Sequence, residues 1–278
     1  MVSILTDSTS DLSPELIEKY HIRVIPLTII LQDQVKKDGI DITSQELFHS
    51  VEQTGKLPQT SAPSIAEFVE LYNQVPREGI FIGISSRMSA TWQNATLAAG
   101  QVGDKDIRVI DSSNLSGGIA ILVLRAAEMS AQGHSLDEIE AATQALIPKM
   151  HTSFIIETLD YLYKGGRCSA LQSIASSILK IRPIIEVQSG GTLGVKDKTR
   201  GTRKNALNYL VQDFKKNVAA IDPHLVFIVH TGCDEDAAYL QAQLGQITPI
   251  DSLYVTNAGS TISTHCGPGT IGIIYQAK

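Results

Sequence analysis

An α/β fold of two domains with mainly parallel sheets is what this sequence predicts, and three observations predict it. Short aliphatic runs alternate along the chain with segments of helical periodicity, the pattern of βαβ units. Three capping boxes, Thr43-x-x-Glu46, Ser64-x-x-Glu67 and Ser135-x-x-Glu138, each mark the start of a helix. The segment 118–132 is apolar nearly all round, as a helix buried between layers must be.

The elements follow in order. Residues 2–5 read as the first strand. Ser13-Pro14 gives the next helix an N-cap and a proline at its first position. Residues 24–31 are a second apolar run, in which Pro26 argues for an edge or a bend. Residues 80–84 and 107–110 read as buried strands. A second series begins near Thr152, with strands expected at 154–156, 184–187, 225–229, 253–256 and 271–275. Ser189-Gly190-Gly191-Thr192 has the composition of a hairpin turn. Helices are expected at 202–218 and 235–244. No proline-rich or serine-rich linker separates the two series. The boundary is therefore placed by pattern, giving an N-terminal α/β domain at 1–150 and a C-terminal one at 151–278.

Composition narrows the classes. The 278 residues suffice for two ordinary domains or one large one. Hydrophobic residues make up 43% and charged residues 19%, which is ample for a core; aromatics are only 5%, so that core is mostly aliphatic. A formal net charge of −6 argues against a nucleic-acid partner, because neutralising phosphates calls for a basic surplus. The first seven residues lack the basic region of a signal peptide. The most apolar run, 119–124, stops at Arg125, far short of the roughly 18 residues of a membrane span. Cys168, Cys233 and Cys266 are odd in number and widely spaced, so neither a disulfide framework nor a zinc site is expected. A reducing, cytoplasmic setting is the simplest reading. No cofactor or metal is expected.

Five polar clusters sit where apolar strands should end, the place where ligands collect in open α/β sheets. They are Thr6 to Asp11; Thr60-Ser61-Ala62-Pro63-Ser64; Ser85-Ser86-Arg87-Met88-Ser89-Ala90-Thr91; Lys164-Gly165-Gly166-Arg167-Cys168-Ser169; and His265-Cys266-Gly267-Pro268-Gly269. Hydroxyls at a strand-to-helix turn can bind an anion. They can equally cap helices and close turns. The paired glycines before Arg167 allow unusual backbone angles for a phosphate contact, or simply end a helix.

Taken together, the clusters resemble the DegV family of fatty-acid-binding proteins, which includes the binding subunits of bacterial fatty acid kinases. The resemblance runs through five ordered motifs over essentially the whole chain. Thr6-Asp7-Ser8-Thr9-Ser10-Asp11-Leu12 is similar to the family's opening. Residues 60–64 are similar to its Thr-Ser-Gln-Pro-Ser segment, with Ala62 in place of glutamine. Residues 84–95 resemble its Ser-Ser-x-Leu-Ser-Gly-Thr-Tyr-Gln segment, with Ala90 for glycine and Trp92 for tyrosine. Lys164-Gly165-Gly166-Arg167 and His265-x-Gly267-Pro268-Gly269 complete the set.

The resemblance implies a long-chain fatty acid buried between two domains. It implies that Thr60, Ser61, Ser89 and the amide of Ala90 hold its carboxylate, with His265 close by and Ser85 and Ser86 as possible further contacts. It also implies a binding subunit rather than an enzyme, with no catalytic residues of its own. That subunit would present the carboxylate to an ATP-dependent fatty acid kinase, with Arg167 facing the phosphate or the kinase. Two other readings stand beside this one. A serine acyl hydrolase would pair Ser85, Ser86 or Ser89 with His265 or His230, although the Gly-x-Ser-x-Gly elbow is lacking. A nucleotide-dependent phosphotransferase would need a phosphate loop, and neither usual glycine-rich loop motif is found.

Overall fold

Aliphatic runs of four to six residues are too short for helices, and between helical segments they pair side by side. The computed structural model describes residues 1–168 and 181–278, and shows where they pair. The chain opens with β1 (Ser3–Asp7), α1 (Pro14–Lys19) and β2 (Arg23–Ile25). Ser13 caps α1 as expected, its hydroxyl accepting from the Leu16 amide. The apolar run 24–31 does not continue as one strand. It breaks at Pro26, and β3 (Thr28–Leu31) enters a different sheet with β4 (Gln34–Lys37). Proline lacks the N–H that a continuing ladder would use.

Next come α2 (Ser44–Thr54), β5 (Gln59–Ser61), α3 (Ile65–Asn73), β6 (Glu78–Gly83), α4 (Thr91–Ala99) and β7 (Asp106–Asp111). Strands β2-β1-β6-β7 form one four-stranded sheet in which every neighbouring pair is parallel. Strands β4-β3-β5 form a small antiparallel sheet beside it. That small sheet places Thr60 and Ser61 on a three-residue strand.

Helices α5 (Gly117–Ala131) and α6 (Leu136–Leu146) lead into the second series of strands. The capping boxes expected at α2, α3 and α6 are all formed, side chain and backbone answering each other. In α5 every residue from Gly117 to Leu124 is buried. This helix packs on β1 and β6 on one side and on the second sheet on the other. A Cβ at Gly117 would come 3.0 Å from the Cβ of Phe227, tighter than an ordinary contact, so glycine lets the helix start close against the sheet. The largest core cluster joins residues from both halves of the chain around α5.

The remaining elements are β8 (Met150–Ile155), α7 (Asp160–Gly165), β9 (Ile181–Val187), β10 (Leu193–Arg200), α8 (Arg203–Asn217), β11 (Ile221–His230), α9 (Asp234–Ile247), β12 (Ser252–Asn257), α10 (Ser260–Cys266) and β13 (Ile271–Ala277). The second sheet runs β10-β9-β8-β13-β11-β12. The α/β class holds, but the parallel character is confined to the first sheet. In the second, only β11 and β12 run parallel; the other neighbours are antiparallel.

Two features reverse the direction. The turn at Gly190 (φ 88°) and Gly191 (φ 79°) folds β10 straight back on β9. The last strand, β13, inserts between β8 and β11 and runs against both. A strand buried on both faces reads as one apolar run whichever way it points.

Candidate functional site

The polar residues of the N-terminal half gather where β1, β5 and β6 end. At the end of β1 the Asp7 carboxylate accepts hydrogen bonds from the amides of Thr9 and Ile84, each 2.9 Å, and from the Thr9 hydroxyl. Burial pushes this carboxyl up, while those hydrogen bonds pull the other way. Asp7 thereby ties the turn after β6 to the end of β1.

Within that turn the serines divide. Ser85 is fully buried, and its hydroxyl donates to the Gly191 carbonyl at 2.7 Å. Ser86 is exposed, and its amide donates to Asp111 at 3.2 Å. Neither is among the residues that line the cavity described next. Ser89 does line it, and its hydroxyl lies 2.8 Å from that of Thr91. Ala90 precedes α4 as an N-cap without a side-chain bond, and lines the same space.

That cavity has a volume of about 330 Å³. Thr60, Ser61, Ser89, Ala90, Arg167 and His265 all line it, so one enclosure collects six residues from four sequence clusters. Its apolar lining comes from Leu27, Ile84, Met88, Leu115, Leu162, Leu193 and Ile262, together with Cys266. Asn94, also in the wall, is fixed by donating to the Pro63 carbonyl at 2.8 Å. Trp92, which stands where the resemblance has tyrosine, is not among the lining residues. Its carbonyl accepts from Thr96 inside α4 instead.

His265 is the hinge of the polar end. Its Nε2 lies 2.8 Å from the Thr60 hydroxyl. Burial first, and then the nearby Arg167 charge, lower its pKa from 6.5 to about 4, so the ring is neutral near pH 7. Its Nδ1 is buried with no hydrogen-bond partner among the described residues. A Cβ at Gly165 would lie 2.6 Å from that Nδ1, so glycine is what lets α7 approach the ring. Gly166 then ends α7 in the left-handed region at φ 69°, where glycine carries no steric cost.

The turn brings Arg167 to the cavity, exposed, with its guanidinium donating to the Gly165 carbonyl at 2.6 Å and, more loosely, to the Met88 carbonyl at 3.4 Å. Arg167 is the one charged side chain in the lining among the described residues. Lys164 is exposed and outside the lining, and Ser169 lies outside the described residues.

Helix α10, which carries His265, was not anticipated from the sequence. Its residues Ser260-Thr261-Ile262-Ser263-Thr264 are hydroxyl-bearing or β-branched and are weak helix formers. Tertiary contacts hold it. The Gly259 amide donates to Asp11 at 2.8 Å, and the Ser260 and Thr261 amides donate to Asp38 at 2.7 and 3.2 Å. Burial lifts Asp11 to about 8 against the hydrogen bonds it accepts from Ser116 and Gly259. Thr261, Ile262 and Cys266 line the cavity along with His265; their one-turn spacing was the signal that could have revealed this face.

A second, smaller cavity of about 30 Å³ adjoins, sharing Leu115, Ile262 and Cys266 with the first. Phe154, Val229, Ala258 and Ile274 line it farther into the second sheet.

No serine hydroxyl among the described residues hydrogen-bonds His265 or His230. His265 engages Thr60, and His230 Nδ1 accepts from the Cys233 amide at 3.2 Å. No group of acidic, histidine and cysteine side chains suited to a metal ion occurs among the described residues. No helix among them is long and apolar enough to cross a membrane.

Fold and cavity define a class: an α/β protein with a largely aliphatic cavity walled by turns, helices and the small sheet, hydroxyl-bearing at one end and with an arginine at its edge. A family model described as "Uncharacterised protein, DegV family" matches residues 1–278. A DegV domain-containing protein of Caldanaerobacter subterraneus is 35% identical, covering 100% of this chain and 99% of its own. The chain belongs to the DegV family. Among solved structures, a DegV family protein from Thermus thermophilus, described for its fatty acid binding, is 28% identical with a TM-score of 0.93 and covers 100% of this chain and 99% of that one. DegV from Bacillus subtilis, a fatty acid binding protein, is 26% identical with a TM-score of 0.89, again over 100% and 99%.

Proposed function

We propose that this protein binds one long-chain fatty acid, with the carboxylate against Thr60, Ser61, Ser89 and the Ala90 amide, and presents it to a separate ATP-dependent kinase. The observation that carries the reading is the cavity's chemistry: neutral hydroxyls and a histidine kept uncharged at one end, aliphatic walls elsewhere. The fatty acid binding of the Thermus and Bacillus relatives supports it.

Affinity then comes from the tail. Each buried methylene contributes about 0.8 kcal/mol, so roughly 15 of them give about 12 kcal/mol before ordering costs are subtracted. The larger cavity lies at the low end of the roughly 300–1,000 Å³ usual for ligand sites. The tail accordingly extends past Leu115 and Ile262 into the smaller cavity. We place the domain boundary near residue 150, so that the N-terminal half supplies Thr60, Ser61 and Ser89 and both halves supply the tail's walls.

Neutral donors hold a carboxylate without the tight bidentate pairing an arginine would impose, which leaves an oxygen free to attack a phosphorus atom. Arg167, at the cavity edge, is suited to meet the incoming phosphate or an acidic surface of the kinase. Ser85 and Ser86 take no part in this assignment. A kinase that uses ATP places the protein in the cytoplasm. The hydrolase reading draws less support, since its base would need a serine within reach.

The test is binding and turnover in one preparation. Delipidated protein titrated with long-chain fatty acids should take up about one per chain. Adding a cognate fatty acid kinase and ATP should yield acyl phosphate. Hydrolysis of acyl esters by the protein alone would favour the hydrolase instead.

A further inference from the structure

The small antiparallel sheet touches the site helix α10 at both ends. At the far end, Thr60 on β5 meets His265 Nε2 at 2.8 Å. At the near end, Asp38, the residue immediately after β4, accepts from the amides of Ser260 and Thr261 at 2.7 and 3.2 Å. Asp38 is itself fixed within the N-terminal half. Its own amide donates to the Leu27 carbonyl at 3.0 Å, and the Ser8 hydroxyl, which accepts from the Leu27 amide at 3.0 Å, donates to Asp38 at 2.9 Å. Asp38 is only 3% exposed, so these contacts are sheltered from water.

The two grips share one frame. The register of β3 sets Thr28 opposite both Lys37 on β4 and Ser61 on β5, and Ile29 opposite Thr60. Asp38 follows Lys37 directly, so the ladder that places Thr60 and Ser61 also places Asp38. Helix α10 has seven residues and weak intrinsic helix preference, so its orientation depends on what holds its ends.

We propose that Asp38 is the positioning residue for the His265–Thr60 pair, fixing α10 from across the two halves so that the polar end of the cavity is preassembled. The role rests on the fatty-acid reading, because the pair matters as the seat of a carboxylate. Asp11, which accepts from Gly259 at 2.8 Å, is a secondary hold on the same helix start.

The experiment compares wild type, Asp38→Ala and Asp38→Asn. Three readouts are taken: the dissociation rate of a fluorescent long-chain fatty acid, the melting temperature, and the pH titration of His265 by nitrogen NMR in lipid-free protein. Arg167 is the charged group that faces His265, and it is unchanged in both variants. The expected result is dissociation at least about tenfold faster in Asp38→Ala, the loss of a hydrogen bond to a charged group. His265 should titrate nearer its ordinary range. Asparagine, which keeps an accepting oxygen, should recover part of both effects.

A folded Asp38→Ala with wild-type dissociation and wild-type His265 titration overturns the proposal. Should the alanine variant fail to fold, Asp38→Asn decides by the same two readouts: faster dissociation with a shifted titration supports the role, and wild-type values overturn it. A wild type that takes up no fatty acid overturns the parent reading instead, and the lipid-free titration still tests the positioning of His265.

Discussion

The two halves of the molecule make different contributions to the same cavity. The N-terminal half, with its parallel sheet and small antiparallel sheet, brings polar side chains from a strand, a turn and a helix: Thr60 and Ser61 on β5, Ser89 in the turn before α4, and Asn94 on α4. The aliphatic wall is shared, with Leu27, Ile84, Met88 and Leu115 from the first half and Leu162, Leu193 and Ile262 from the second, while the smaller inner cavity is lined mainly by the C-terminal half, which also sets His265 and Arg167 at the edge. Parallel strands end together, so loops with hydrogen-bonding groups accumulate at one rim. The second sheet, mostly antiparallel, offers a continuous apolar face. On this account the carboxylate rests mainly on hydroxyls of the first half, and the inner end of the tail lies in the second. Substitutions on either side should therefore fail differently.

The largest expected effect falls on turnover. Arg167→Ala should keep its fatty acid and its melting temperature, yet lose roughly a hundredfold or more of kinase-dependent acyl phosphate formation, the scale of losing one transition-state donor. Normal turnover in a stable, lipid-loaded variant would show that the arginine serves only its turn.

Next is the head-group contact. Ser89→Ala should weaken fatty acid binding by roughly 1.5–3 kcal/mol, the value of a hydrogen bond to a charged group. Ser112→Ala should leave affinity alone, because Ser112 is buried outside the cavity lining and its hydroxyl serves Asn114. Its effect should appear in the melting temperature instead. Equal losses of affinity in parallel titrations would count against Ser89 as the carboxylate donor.

A smaller effect is expected at the tail. Ala258 is 3% exposed and lines the inner cavity. Ala258→Val should shift preference towards shorter acyl chains by about 0.8 kcal/mol for each methylene excluded. A series of saturated acids run against both proteins would read this directly, and an unchanged length profile would place the tail elsewhere.

The effects of pH fall on stability and not on the ligand, and they have opposite signs. His265 has a folded pKa of about 4 against an ordinary 6.5, so the unfolded chain binds the extra proton and stability falls as pH drops from 6.5 towards 4. Asp11 has a folded pKa of about 8 against an ordinary 3.8, so the folded chain holds the proton and stability falls as pH rises from 3.8 towards 8. Thermal melts of wild type and Asp11→Asn over that range should converge at acid pH and separate towards pH 8, with the asparagine variant gaining. Parallel curves would mean that Asp11 does not carry this burden.

What the sequence disclosed follows from how local each cause is. The capping boxes at Thr43, Ser64 and Ser135 join residues three apart, so spacing alone reveals them. The buried strands stood out because their aliphatic runs are continuous. Strand direction did not, since Ile184 or Phe227 is equally apolar either way. The hydroxyl clusters were visible at strand ends, yet nothing in their spacing separates Ser85, spent on Gly191, from Ser89, which lines the cavity. Helix α10 was hidden because its support, Asp38 and Asp11, lies more than 200 residues away. Leu193 and Leu115 join the wall only through tertiary packing.

In the proposed complex the cavity between the two halves holds a single acyl chain. Mass spectrometry of lipid extracted from protein purified from a bacterial host tests it most directly. About one long-chain fatty acid per chain is the predicted result, because an enclosed apolar cavity favours occupation by an apolar guest. Protein that carries no fatty acid, and takes none up after delipidation, would contradict the account.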